Sequence, residues 1–132
     1  MALTKDRNTE RRAGDEFSHP VAASTKIFAG SLVALNATGY AAPGSAVATL
    51  KSPGRAAEQI DNSAGADGAK SVRISKGVFK WANHGTNTLN RTHIGSTCYI
   101  EDDQTVGSSA TGKSAAGTVV QIDSDGVWVR SV

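Results

Sequence analysis

Cysteine, proline and aromatic residues are all scarce in this 132-residue chain, which has one Cys, three Pro, three Phe, two Tyr and two Trp. The lone thiol, Cys98, excludes an internal disulfide and a thiolate metal cluster. Set between Thr97 and Tyr99 in an apolar stretch, it reads as a buried, inert thiol. Charge of one sign is missing too: fourteen Lys and Arg face twelve Asp and Glu, a net charge of +2. No basic patch is interleaved with aromatics, so nucleic acid is not an expected partner. No apolar run approaches the length that spans a bilayer, and Met1–Arg7 lacks the apolar core of a secretion signal. The chain therefore reads as soluble, made inside the cell and without a membrane partner. Sustained helical periodicity is absent, which leaves no long helix.

Glycine is plentiful, at fourteen residues, and Ala, Ser and Thr are frequent. Small residues in short runs between Gly punctuation suit a loop-rich β protein of one domain. The length allows a real but modest core. With only 39% apolar residues, such a chain gains from partner surfaces that complete its burial.

The stretch from Gly107 to Arg130 holds two signals that exclude each other. Gly107-Ser-Ser-Ala-Thr-Gly-Lys-Ser114 fits the phosphate-binding pattern G-x-x-x-x-G-K-[ST] letter for letter. That loop works only where a helix starts at the Lys-Ser, because the helix N-terminus supplies the N–H groups that hold phosphate. Here two alanines and Gly117 follow, and then the β-branched Thr118, Val119, Val120 and Ile122, which favour a strand. Glu101-Asp102-Asp103 also brings negative charge to where phosphates would sit. Val119–Asp123 imitates a strand ending in a magnesium-binding Asp, yet no crossover helix separates it from the Gly-rich loop. The hairpin prevails: Gly117–Ile122, a turn at Asp123-Ser-Asp-Gly126, then Val127–Arg130. The reading is all-β and non-enzymatic.

Met1–Glu16 is polar, with Lys5, Arg7, Arg11 and Arg12 set against Asp6, Glu10, Asp15 and Glu16. It has almost nothing to bury, so it reads as a flexible arm, either frayed or ordered by a neighbouring subunit. Residues 17–132 form the β-rich domain. Pro20 marks an edge position. Strands are expected at Thr25–Ala29 and Leu32–Leu35, weakly at Ala46–Leu50, and at Arg55–Ile60, where a strand is preferred to a short helix. Turns are expected at Pro43-Gly44 and Ser52-Pro-Gly54, and an exposed loop at Asp61–Gly68. In Lys70–Trp81, Val72 and Ile74 are out of phase with Phe79 and Trp81, which predicts a bulge or bend at Gly77 that puts all four on one face. Asn90 should cap one helical turn stopped by Gly95, ahead of a strand at Thr97–Ile100. Eight to ten short strands with frequent turns indicate a small barrel or sandwich with a C-terminal hairpin.

No set of residues points to catalysis. His84 and His93 lack the further ligands zinc needs. Glu101, Asp102, Asp103, Asp123 and Asp125 lack the frame of a calcium loop, and Asp-Gly turns explain the last two. No nucleophile elbow is present. Trp81 and Trp128 are expected in the core or at a subunit contact, although paired exposed aromatics would suit a carbohydrate-binding or adhesion module. No catalytic residue, metal or cofactor is assigned.

Several short runs occur in a telling order: Ile27-Phe-Ala-Gly30, Leu32–Leu35, Gly39-Tyr40, Asp61-Asn62, Gly68-Ala-Lys70 and Gly77-Val-Phe-Lys-Trp81. They continue with Gly95, Cys98-Tyr99, Asp102-Asp-Gln-Thr-Val106, Ala116-Gly-Thr-Val119 and Asp125-Gly-Val-Trp-Val129. Together, over Thr25–Val129, they resemble the capsid decoration, or cement, proteins of Mu-like siphophages and prophages. The resemblance implies a virion structural protein of bacteriophage, a compact β domain on the outer capsid surface. It implies a homotrimer that clamps adjacent copies of the major capsid protein and is assembled in the host cytoplasm. It carries over no catalytic residue. Another virion location, such as the tail, or an adhesion module is the alternative. On this reading Lys5, Arg7, Arg11 and Arg12 are the expected capsid-contact residues.

Overall fold

A computed structural model describes residues 1–10, 12 and 14–131. The fold is all-β, as expected, with twelve short strands and a single 3₁₀ turn among the described residues. Gly77 divides it into two halves. The first half contains β1 (Glu16–Pro20), β2 (Thr25–Ile27), β3 (Leu32–Leu35), β4 (Ala41–Pro43), β5 (Lys51–Ala56), β6 (Ile60–Asn62) and β7 (Ser71–Ser75). Five of these form an antiparallel sheet in the order β1-β7-β5-β3-β4, while β2 pairs with β6. The sheet's two edges meet at one point, a parallel bridge from Val21 to Ala41. The second half contains β8 (Val78–Asn83), the 3₁₀ turn Arg91–His93, β9 (Thr97–Ile100), β10 (Thr105–Gly107), β11 (Ala115–Asp123) and β12 (Gly126–Ser131). Its strands close into a barrel in the order β10-β8-β12-β11-β9.

Strand β3 joins the halves. Successive side chains of a strand point to opposite faces, and in β3 both faces are covered. Leu32 and Ala34 enter the barrel core with Trp81, Ile100, Val106, Val119, Val127 and Val129. Val33 and Leu35 enter the first half's core with Val21, Ile27, Val72 and Ile74. An unbroken apolar run is what a strand buried on both sides requires.

The barrel wall alternates as the hairpin reading predicts. Val127 lies opposite Trp81 and Val129 opposite Phe79, and these four supply the interior. Trp128 and Lys80, opposite each other, point outward. The hairpin turns at Ser124-Asp125, with Asp123 paired to Gly126. β11 carries two irregularities, one between Ala115 and Gly117 against β9 and one between Val119 and Gln121 against β12. Such bulges bend a strand and help a small barrel close.

Several local expectations need correction. The break at Gly77 is larger than a bulge: β7 and β8 belong to different sheets, and Val72 and Ile74 pack in one core while Phe79 and Trp81 pack in the other. Ser52-Pro-Gly54 is not a turn but the middle of β5. Pro53 is tolerated because β7 pairs with β5 only at Arg55 and Ala56, so no partner there needs its missing N–H. Pro43 ends the edge strand β4 instead of starting a turn. Ala46–Leu50 is a loop across the barrel, not a strand; Ser114 Oγ donates to Val47 O (2.7 Å) and accepts from Leu50 N (2.9 Å). The strand expected over Arg55–Ile60 is split between β5 and β6, and that at Thr25–Ala29 stops at Ile27. The Asp61–Gly68 loop begins with a buried residue: Asn62 Nδ2 donates to Ala22 O at 2.9 Å and Ala66 O at 3.0 Å.

Candidate functional site

The Gly-rich segment leads into β11, so no helix stands behind Lys113. Its ammonium is committed elsewhere. Lys113 Nζ donates to Glu101 Oε1 at 2.6 Å, and the two side chains are 14% and 8% exposed. Asn87 Nδ2 donates to the same oxygen at 3.3 Å, and His84 Nε2 lies 3.7 Å from Oε2. Burial pushes the Glu101 carboxyl up. Hydrogen bonds from Lys113 and Asn87, with the charges of His84 and Lys113, outweigh it and hold the group below its ordinary value. The cluster ties three loops together across one end of the barrel. His84 Nδ1 accepts from Asn87 N at 2.9 Å, which orients the ring.

The remaining candidates stay apart. Among the described residues no group of three or more His, Cys, Asp or Glu side chains is placed to hold a metal ion. His93 serves the 3₁₀ turn, with Nδ1 accepting from Asn90 N at 3.0 Å, and Asn90 is the cap that the sequence predicts. Asp125 pairs with Lys80 at 2.6 Å. Asp123 accepts from the Trp128 indole at 2.7 Å and from Gln121 at 3.0 Å, and these two bonds lower its carboxyl in that order of weight. Trp81 is buried in the core while Trp128 lies outside the barrel, so they make no shared platform. Cys98 is fully buried and desolvation pushes its thiol up to about 12, which leaves no thiolate nucleophile at neutral pH.

The unspent chemistry lies at the other end of the chain. Residues 1–10 are exposed throughout and form no strand, and the first strand begins at Glu16. Lys5 and Arg7 stand in this arm with their side chains in solvent; Arg11 lies outside the described residues. Arg12 is at the root, its guanidinium 4.8 Å above the ring of Phe17. Lys5, Arg7 and Arg12, the three that are described, lie in the segment ahead of β1 and are joined by no shared contact among the described residues.

Phe17 and His19 share one face of β1, because Glu16 turns to the other face and meets Arg73 at 3.4 Å. With Leu35, Lys51, Ser52, Pro53 and Lys76 they line a shallow groove of about 350 Å³. Burial and then the charge of Lys76 lower the His19 imidazole below its ordinary value. Sequence reading missed this groove. The one local signal was the alternation Phe17-x-His19 behind Pro20; the other walls arrive only through tertiary pairing. Comparison with known protein families, curated proteins and solved structures gives no match for this chain.

Proposed function

We propose that this protein is a phage capsid decoration, or cement, protein, a virion subunit that sits on the outer face of the head and strengthens contacts between major capsid proteins. The observation that carries the reading is the pairing of a packed β domain with an exposed, charge-mixed arm rooted at a sheet edge. Fully extended, residues 1–15 reach about 50 Å, far enough to touch a neighbouring capsomer. A second contact held by the same chain acts at high effective concentration, so modest contacts sum to firm attachment. Apolar burial at the rim contributes about 25 cal/mol per Å² before association costs. The ordered motifs over Thr25–Val129 support the same reading; the homotrimer that the resemblance implies would present three arms at once.

The test is co-sedimentation with undecorated heads, alongside solution mass by light scattering. The full chain is expected to form a trimer and to pellet with heads. A chain lacking residues 2–15 is expected to bind at least tenfold more weakly. A persistent monomer that ignores heads would overturn the reading, and unchanged binding without the arm would remove Lys5, Arg7, Arg11 and Arg12 from the contact.

A further inference from the structure

The groove beside β1 combines an apolar floor with cations that carry no ion pair among the described residues. Phe17, Leu35 and Pro53 supply the floor, and Lys51 and Lys76 stand at its sides. No acidic residue lines it. Arg73, Lys80 and Lys113 carry ion pairs, whereas Lys51 and Lys76 carry none among the described residues. The Phe17 ring is already attended by two cations, Arg12 at 4.8 Å and Lys76 at 5.9 Å. Ser52 Oγ is used by Val33 O at 3.1 Å. What remains free is positive charge over an aliphatic floor.

The adjoining backbone adds a second requirement. Val21 N donates to Lys70 O, and Lys76 N donates to Asp15 O. By antiparallel alternation Phe17 and His19 also bond to β7, and Glu16 and Ser18 turn their N–H and C=O groups away from it. β1 is a sheet edge that meets β4 only through the bridge at Val21. An extended peptide can satisfy such an edge, whereas a membrane surface or a folded sugar cannot match its spacing.

We propose that this groove docks an extended acidic segment of a partner protein, one that places an apolar side chain on Leu35 and Pro53 and carboxylates against Lys51 and Lys76. The proposal rests on the cement reading for the identity of that partner, a capsid subunit. It adds a specific seat at the root of the arm, so that arm and groove grip one neighbour together. Charge complementarity selects acidic segments, and the Pro20 end, which lacks an N–H, limits how far a strand can be added.

The test uses the full chain, isotope-labelled for NMR, titrated with the blocked peptide Ac-Glu-Leu-Glu-NH2 and its neutral counterpart Ac-Gln-Leu-Gln-NH2. Saturable shifts at Phe17, His19, Leu35, Lys51, Ser52 and Lys76 are expected, at least fivefold weaker with the neutral peptide. The double variant Lys51→Glu/Lys76→Glu, whose spectrum reports whether it still folds, should lose them. Absent shifts, equal shifts with the neutral peptide, or shifts elsewhere would overturn the proposal. So would self-association that the double variant abolishes, since the occupant would then be a second copy. Head binding separates the two readings. If wild type and double variant bind heads equally, the groove proposal fails and the cement reading stands; if the acidic peptide binds but heads do not, the reverse holds.

Discussion

Residues 78–131 close a barrel on themselves, while residues 16–75 curl almost as far and stop at one bridge. The closed half spends its polar groups: Glu101 on Lys113, Asp123 on Trp128, and Ser114 on Val47 and Leu50 of the open half. The open half keeps an edge, a cationic groove and an exposed arm. On the proposed cement reading, the difference separates two tasks. One half gives the chain a fixed shape; the other holds the groups still able to bind. Because β3 contributes Leu32 to one core and Val33 to the other, neither half is independent of its neighbour.

The sharpest way to break the barrel without touching the groove is Gly117→Ala. Gly117 has φ 155° and sits in the bulge of β11, and an added Cβ would press into the Arg130 carbonyl and the Val129 side chain. A loss of about 3–4 kcal/mol is expected in denaturant unfolding. Gly54→Ala makes the matching clash with the Ser75 carbonyl in the open half. Gly54 also has a positive φ, 138°, and Ser75 is paired on both sides, to Glu16 and to Arg55, so a loss of the same order, about 3–4 kcal/mol, is expected there. A much smaller loss would show that the open half yields more readily than the barrel.

Lys113→Met leaves the Glu101 carboxylate buried with only Asn87 and His84 beside it, and should cost about 3 kcal/mol. The pH dependence has a definite sign. Glu101 is held below its ordinary value of 4.5, so its contribution is complete above pH 4.5 and is lost as pH falls through the lower folded value. Glu101→Gln should therefore flatten the acid limb of a stability-against-pH curve, and an unchanged limb would contradict the assignment.

Leu32→Ala and Val33→Ala probe the shared strand from its two faces. Losses of about 3 and about 2 kcal/mol are expected, each within one transition seen alike by Trp fluorescence and circular dichroism. Two separated transitions in either variant would show that the halves unfold independently. The smallest effect belongs to the outer wall: Asp125→Ala removes an exposed pair with Lys80 and should change stability by less than about 0.5 kcal/mol.

Much of the barrel was legible in the sequence because it rests on local alternation. Thr97–Ile100 and the turn before Gly126 carry their own pattern, and β-branched residues after Gly117 outvote a letter-perfect phosphate motif. The β5 strand was not legible. Pro53 and Gly54 read as a turn in isolation and become strand residues only where β7 stops short and Ser75 comes close. The bulges in β11 were hidden for a related reason: barrel closure demands them, not the residues alone. The arm cations were visible as composition, but the groove was not, since Leu35, Lys51 and Lys76 meet Phe17 only after three strands have paired.

Hydrogen exchange of the full chain, free and bound to undecorated heads, tests the division of tasks most directly. Added protection is expected along residues 1–19 and around Lys51–Pro53, with β11 and β12 unchanged. Protection that falls on the 115–131 hairpin and leaves the arm and groove as they were would contradict it.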